Sequence, residues 1–171
     1  LRVLEHRTVK SILAVYDYKK KKCDVGDYME LKISDDNKYY NDCLEIRKEV
    51  FVDEQNVPLE IEVDEFEKES VNIILLMDDR PLGTVRYRDI GDDTAKIERM
   101  AVRKIARGLH LGQALMNFAH IHAEENGFKK TKLGAQVHAL NFYEKMGYEV
   151  TSDEFDDAGI PHKYMEKQLE V

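Results

Sequence analysis

The stretch Ala95-Lys96-Ile97-Glu98-Arg99-Met100-Ala101-Val102 decides the fold, together with the turn Arg107-Gly108-Leu109-His110-Leu111-Gly112 and the run Gln113–Ala123 that follow it. Its first part alternates: Ile97, Arg99 and Ala101 face one way, and Glu98, Met100 and Val102 the other, which is the period of a strand. Its last part places Leu111, Leu115, Phe118, Ala119 and His122 at helical spacing, an amphipathic helix. A strand, a basic glycine-bearing turn and a helix in succession present backbone N–H groups and a helix N-terminus to an anion. An ordinary strand-to-helix turn that needs glycine for positive φ has the same layout. The glycines do not fall at G-x-G-x-x-G, and no G-K-[ST] follows, so neither the dinucleotide fingerprint nor a P-loop is present. Glu98 is a carboxylate on a strand that is otherwise core-like. It needs either a partner, such as a nearby arginine, or a chemical task.

The rest of the sequence bounds what this unit can belong to. A chain of 171 residues suits one domain with a full core. A formal net charge of −8 argues against a nucleic-acid groove. No apolar run reaches membrane-spanning length. No secretory leader precedes the fold, and because the first residue is Leu1 the natural start is expected to lie outside the sequence. Cys23 and Cys43 lack C-x-x-C spacing, so a disulfide framework or zinc site is not expected, and a reducing cytoplasm is the default. His120 and His122 are two apart on a helix and point to different sides, which disfavours a metal site. No motif supports a Ser/His/Asp triad.

Outward from the central stretch, residues 1–27 read as an extension, with a strand at Ser11–Tyr18 and a solvated basic turn at Lys19–Lys22. Met29–Ile33 reads as a short strand, and Asp35 or Asp36 can cap the helix after it. Tyr40, Cys43, Leu44, Arg47 and Phe51 share one face of that helix, which must stop before Pro58. Glu54 and Gln55 sit near its end, and spacing alone makes them solvated polar residues. Glu60–Glu69, rich in acids, reads as a solvated loop with a short helix. Val71–Met77 and Leu82–Ile90 form a hairpin across Asp78-Asp79-Arg80-Pro81. Arg86 and Arg88 share a face of its second strand, either solvated or ion-paired, or placed to grip a phosphate in bidentate fashion. After the central helix, Asn126-Gly127 is a C-cap signal. Lys132–Gln136 reads as a strand, His138–Met146 as a short helix, and Tyr148–Val150 and His162–Leu169 as the last two strands.

Four separated motifs occur in one order: I-E-R-M-A-V, R-G-x-x-x-G-x-A-L, R-x-x-V-F-V-x-E-Q-x-V-P, which precedes both in the chain, and A-Q-V-H-A-L-N-F-Y-E-K-M-G-Y after them. With the G-I-P-H at Gly159–His162, they resemble the GNAT acetyltransferase superfamily in its ElaA/YjcF-like branch, over about Met29 to Leu169. The resemblance implies an α/β (α+β) fold in residues 28–171: a mixed, mostly antiparallel sheet of six to seven strands with helices on both faces. It implies acetyl-CoA as co-substrate, with no metal. Arg107 and the N–H groups of Gly108, Leu109, His110, Leu111, Gly112 and Gln113 are then expected around the pyrophosphate. His110 stands where the family's middle glycine is expected, and its ring N–H is an alternative phosphate donor. Backbone groups of Met100, Ala101 and Val102 are expected to polarise the thioester and pair with pantetheine, and Asn141 to bond the pantetheine amides.

Acyl transfer to an amine requires a neutral amine, a stabilised oxyanion and a proton for the leaving thiolate. The resemblance makes Glu98 the first base and Tyr143 the acid, although helical spacing alone makes Tyr143 a core residue. His162 is a second base or an acceptor ligand. Glu54, Gln55 and Gln136 are expected on the acceptor side, with Arg86, Arg88 and Arg99 offering charge to a sugar phosphate. The expected activity is therefore N-acetylation of a primary amine, with glucosamine 6-phosphate named first. A polyamine, an aminoglycoside-like compound or a peptide is the alternative acceptor, and an acidic surface suits cationic ones. A non-catalytic acetyl-CoA sensor is the alternative of another class. A homodimer paired through the N-terminal strand is a further expectation.

Overall fold

The computed structural model describes residues 29–34 and 37–170. The strand expected at Ser11–Tyr18, the Lys19–Lys22 turn, Cys23 and the Asp35/Asp36 cap lie outside them. Eight strands form one sheet: β1 (Met29–Ile33), β2 (Val71–Met77), β3 (Arg80–Asp89), β4 (Thr94–Val102), β5 (Lys130–Gln136), β6 (Glu149–Val150), β7 (Phe155–Asp157) and β8 (Ile160–Gln168). The order is β1-β2-β3-β4-β5-β8-β6, with β7 also on β8. The count exceeds the six to seven expected because β7, a three-residue strand, turns back on β8 through Ala158-Gly159, both at positive φ. Every pairing is antiparallel except β4 with β5. That parallel pair needs a crossover, and α3 (Leu111–Glu125) supplies it.

Both faces of the sheet are covered. Val71–Met77 is an almost continuous apolar run because β2 is buried on both sides. Ile73 and Leu75 join the larger core under α3, and Ile74 and Leu76 pack with Cys43, Ile46 and Val50 of the opposite layer. That layer is α1 (Asn37–Arg47), continued by a π-helical segment, Lys48–Glu54. Cys43, Ile46 and Val50, at i, i+3 and i+7, face the sheet together. A left-handed Asn56 then leads the chain into Val57-Pro58 and α2 (Leu59–Glu62). On the other layer α3 lies very close to β3: a Cβ on Gly83 would stand 2.9 Å from Leu115 Cδ1. A last short helix, α4 (Leu140–Glu144), follows β5.

The alternation along β4 does not run as the sequence implies. Arg86 opposes Glu98 and Thr84 opposes Ala101, so Arg99 and Met100 both stand against Val85. This is a β-bulge, and Arg99 takes the extra turn at φ 55°. One additional residue flips every side chain beyond it. Ile97 therefore packs in the α3 core, whereas Ala101 packs against α1.

The acid-rich stretch 60–69 is also not the solvated loop expected. Glu62 is buried and Glu67 nearly so. Arg47, fully buried, binds both, donating to Glu67 Oε1 at 2.7 Å and to the Glu62 carbonyl at 2.8 Å. A 3₁₀ turn at Glu65–Glu69, capped by Asp64, holds these carboxylates over the sheet. No helix among the described residues is long and apolar enough to cross a membrane.

Candidate active site

The β4–β5 pairing lasts from Thr94↔Lys130 to Ile97↔Leu133 and then stops, although β4 runs on to Val102 and β5 to Gln136. The two strands separate at the bulge. Beyond Ile97, the edge of β4 that faces β5 has no strand partner, which leaves backbone groups for a ligand. A cavity of about 530 Å³ fills the gap. On the α3 layer it is bounded by Met100, Arg107, Gly112, Phe142 and Tyr143, and on the α1 layer by Phe51, Gln55, Glu98, Arg99, His162 and Tyr164.

Five of the eleven expected cofactor residues border this gap. Met100, Ala101, Val102, Arg107 and Gly112 line it. Gly108 and His110 both have positive φ, 82° and 60°, so the turn needs a left-handed residue where His110 replaces the expected glycine. The His110 ring does not stand free: Nδ1 lies 3.1 Å from Gln113 Oε1. Leu109 is exposed, and Leu111 is buried in the α3 core, so only its N–H is available to an anion. The first-turn N–H groups of α3 have no carbonyl four residues back within the helix. An anion held by a main-chain turn at a helix N-terminus, beside an unpaired strand edge, fits this end of the cavity. Asn141, expected there too, is exposed on α4 and outside the lining.

The acceptor side departs further from expectation. Arg86 is fully buried and already bonded to three carboxylates: Asp64 at 2.8 Å, Glu67 at 2.7 Å and Glu98 at 2.7 Å. Arg88 pairs with Glu98 at 3.2 Å and lies over the Phe66 ring. Neither lines the cavity, and both take the ion-paired alternative that their shared face allowed. Arg99 does line it, but its guanidinium binds Glu62 at 3.1 Å, Asp64 at 3.2 Å and the Ile61 carbonyl at 2.9 Å. Glu54 sits at the rim and pairs with Arg107 at 2.8 Å rather than reaching the acceptor space. Gln55 and Gln136, 81 residues apart, both line the cavity and are joined at 2.9 Å.

The three expected catalytic residues share this one cavity. Glu98 is a poor proton acceptor. Burial works to raise its pKa, but Lys96 at 2.8 Å and Arg86 outweigh burial and hold it below the usual range for a glutamate. It supplies a fixed negative charge. His162, buried, has Nδ1 at 2.7 Å from the Ile160 carbonyl oxygen. A carbonyl only accepts, so Nδ1 carries a proton, and in the neutral ring Nε2 is then the nitrogen with the lone pair. Tyr143 is pushed up to about 12 by burial, so its phenol stays protonated at neutral pH. Helical spacing alone makes Tyr143 a core residue; it packs in the α3 core and also lines the cavity.

His120 and His122 are structural, whereas His138 also lines the cavity. His120 Nε2 lies 2.8 Å from the Tyr148 hydroxyl and His122 Nδ1 lies 2.6 Å from that of Tyr87. Among the described residues, no group of three His, Cys, Asp or Glu side chains is arranged to hold a metal. Sequence reasoning missed Lys96, Phe155 and Asp157 in the lining. The i, i+2 relation of Lys96 to Glu98 was the available signal for the first.

Residues 25–169 match the family model "Acetyltransferase (GNAT) domain". The chain belongs to the GNAT acetyltransferase family. The Bacillus subtilis (strain 168) protein YjcF, described as an uncharacterized N-acetyltransferase, is 41% identical over 140 residues, 81% of this chain and 99% of YjcF. A Lactobacillus plantarum protein of known crystal structure superposes with a TM-score of 0.79 at 28% identity, over 83% of this chain and 99% of that one. Escherichia coli ElaA does so with a TM-score of 0.72 at 25% identity, over 83% and 99%. The chain is thus a GNAT N-acetyltransferase with ElaA and YjcF among its relatives, and GNAT enzymes draw their acyl group from acetyl-CoA.

Proposed function

We propose that this GNAT enzyme transfers the acetyl group of acetyl-CoA directly to a primary amine, with His162 as the proton acceptor and Tyr143 as the proton donor. The observation that carries this assignment is the Nδ1–H bond of His162 to the Ile160 carbonyl, because it leaves Nε2 as a base in the wall of the cleft. Acetyl-CoA supplies an activated acyl carbon. The amine nitrogen bonds to that carbon and the carbon–sulfur bond breaks. His162 takes the proton lost by the amine, and Tyr143 gives one to the thiolate, so the products are an N-acetyl amide and free CoA thiol. Glu98, kept ionised by Lys96 and Arg86, attracts the ammonium form into the cleft, and this form releases one proton to solvent before the neutral amine attacks. Arg107, the turn through Gly112 and the unpaired edge of β4 would hold the CoA moiety.

The three arginines that would offer charge to glucosamine 6-phosphate are all engaged by carboxylates. This sugar phosphate therefore enters the assay as a comparison acceptor. The test is thiol release from acetyl-CoA over an amine panel. His162→Gln should lower kcat/KM at pH 7 by about 10²–10³-fold, in the range of general-base catalysis, with acetyl-CoA binding retained. A full rate in His162→Gln with loss in Glu98→Gln would return the base to Glu98. Binding of acetyl-CoA with no thiol release for any amine would make the chain a sensor.

A further inference from the structure

The acceptor half of the cavity has a composition of its own. From β7 and β8, Phe155 and Tyr164 pack with ring centroids 4.5 Å apart at 31°, and Phe155 stacks on His162 at 5.9 Å and 25°. Gly134 lies against this group: a Cβ there would stand 3.8 Å from Phe155, 3.9 Å from Tyr164 and 4.0 Å from His162. Gly134 thus sets no side chain of its own against the rings, while Lys132 Nζ lies over the Tyr164 ring, 4.8 Å from its centroid. Phe51 and Ile61 line the same cavity from the α1 layer, and Ile160 lines it from β8.

Charge in this half is one-sided. The Lys and Arg residues of the lining are Lys96, Arg99 and Arg107, and each is already ion-paired, with Glu98 at 2.8 Å, Glu62 at 3.1 Å and Glu54 at 2.8 Å. Asp157 lines the cavity two residues from Phe155, on the same side of β7, and among the described residues no cation pairs with it. A phosphate would find no free cation and would meet an unneutralised carboxylate. A cation on an apolar body would find the reverse.

We propose that the acceptor is a primary amine carried on a flat apolar body, an arylalkylamine in chemical class, whose ring lies against Phe155 and Tyr164. Aromatic faces give both apolar area and an edge-sensitive ring contact, and they attract the ammonium as well. Glu98 and Asp157 set the sign of charge that enters. Gly134 is a specificity position, since any larger side chain fills the space the ring needs. This inference rests on the acetyltransferase reading above.

The experiment compares kcat/KM for 2-phenylethylamine and tyramine with that for glucosamine 6-phosphate and spermidine, in the full chain at saturating acetyl-CoA. The aryl amines should lead by at least about tenfold, the scale of one ring–ring contact. Phe155→Ala should raise KM for 2-phenylethylamine about tenfold, more than it lowers kcat, and change spermidine little. Gly134→Val, which leaves the aromatic group intact, should raise the same KM. Preference for the sugar phosphate or the polyamine, or a Phe155→Ala effect equal for all amines, overturns the inference and leaves the acetyltransferase reading in place. Thiol release with no amine overturns both.

Discussion

Tyr143 and His110 are each held in a state that their residue type does not favour. Burial raises the Tyr143 phenol to about 12, so it stays protonated well above neutral pH. In Tyr143→Phe the rate should fall by about 10²-fold or more, a general-acid contribution. The alkaline limb of the wild-type pH–rate profile should not show a phenol titrating near 10. A descending limb near 10 that vanishes in Tyr143→Phe would contradict the assigned burial. His110 sits at φ 60°, where a side chain costs about 1 kcal/mol or more. His110→Gly should raise stability in denaturant melts by about 0.5–1 kcal/mol, since glycine adopts this region freely. It should also show, by acetyl-CoA affinity, whether the imidazole substitutes for the backbone approach that glycine allows. Loss of stability in His110→Gly would mean that the bond to Gln113 outweighs the backbone term.

Among the elements, the contact between α3 and β3 is the tightest test of packing. Gly83 has no unusual φ; it is glycine because Leu115 Cδ1 and the Ala101 carbonyl would lie 2.9 Å and 3.3 Å from a Cβ. Gly83→Ala should destabilise by about 1–3 kcal/mol through overpacking, measured by thermal melting. Leu115→Ala in the same chain should recover part of that loss. The elements that carried local signals were legible in the sequence: the strand–turn–helix around Arg107–Gly112, the apolar β2 and the Asn126-Gly127 cap all stand where the residues imply. The elements that depend on distant partners were not. The bulge at Arg99 exists relative to β3, and nothing in Ala95–Val102 marks it. The π turn at Lys48–Glu54 keeps a helical pattern in sequence. Glu62 and Glu67 read as solvated because their partners, Arg47 and Arg86, lie 15 to 20 residues away. For the same reason Arg86 and Arg88 read as either ion-paired or phosphate ligands: sequence supplies a guanidinium but not the carboxylates that claim it.

At the scale of the whole molecule those carboxylates form one network with Arg47, Arg86 and Arg99, tying the 59–69 segment to β3 and β4. Arg86→Met should destabilise by about 3–5 kcal/mol, because Asp64, Glu67 and Glu98 would lose the cation between them. Acid should act on the fold in two stages. His120 is lowered from 6.5 to about 3 by burial, with Lys167 adding to the effect. Between those values the unfolded chain binds a proton that the folded chain refuses, so stability falls as pH drops below 6.5. Asp64 and Glu98 follow. Burial opposes the shift, but arginines and Lys96 hold both below their ordinary 3.8 and 4.5. Their contribution is complete above those ordinary values and is lost as pH falls through the depressed folded ones. Melting temperature should thus decline from pH 6.5 and then more steeply below about 4, and His120→Gln should flatten only the first part. The four residue pairs that join β4 to β5 have a wider meaning. They make the molecule a pair of leaves, β1 to β4 and β5 to β8, with α3 as their spine and the proposed site in the opening between them. A change in the packing of either leaf reaches the chemistry as a change in the width of that opening. Substitutions deep in β2 or β8, far from any substrate, are therefore felt by donor and acceptor together.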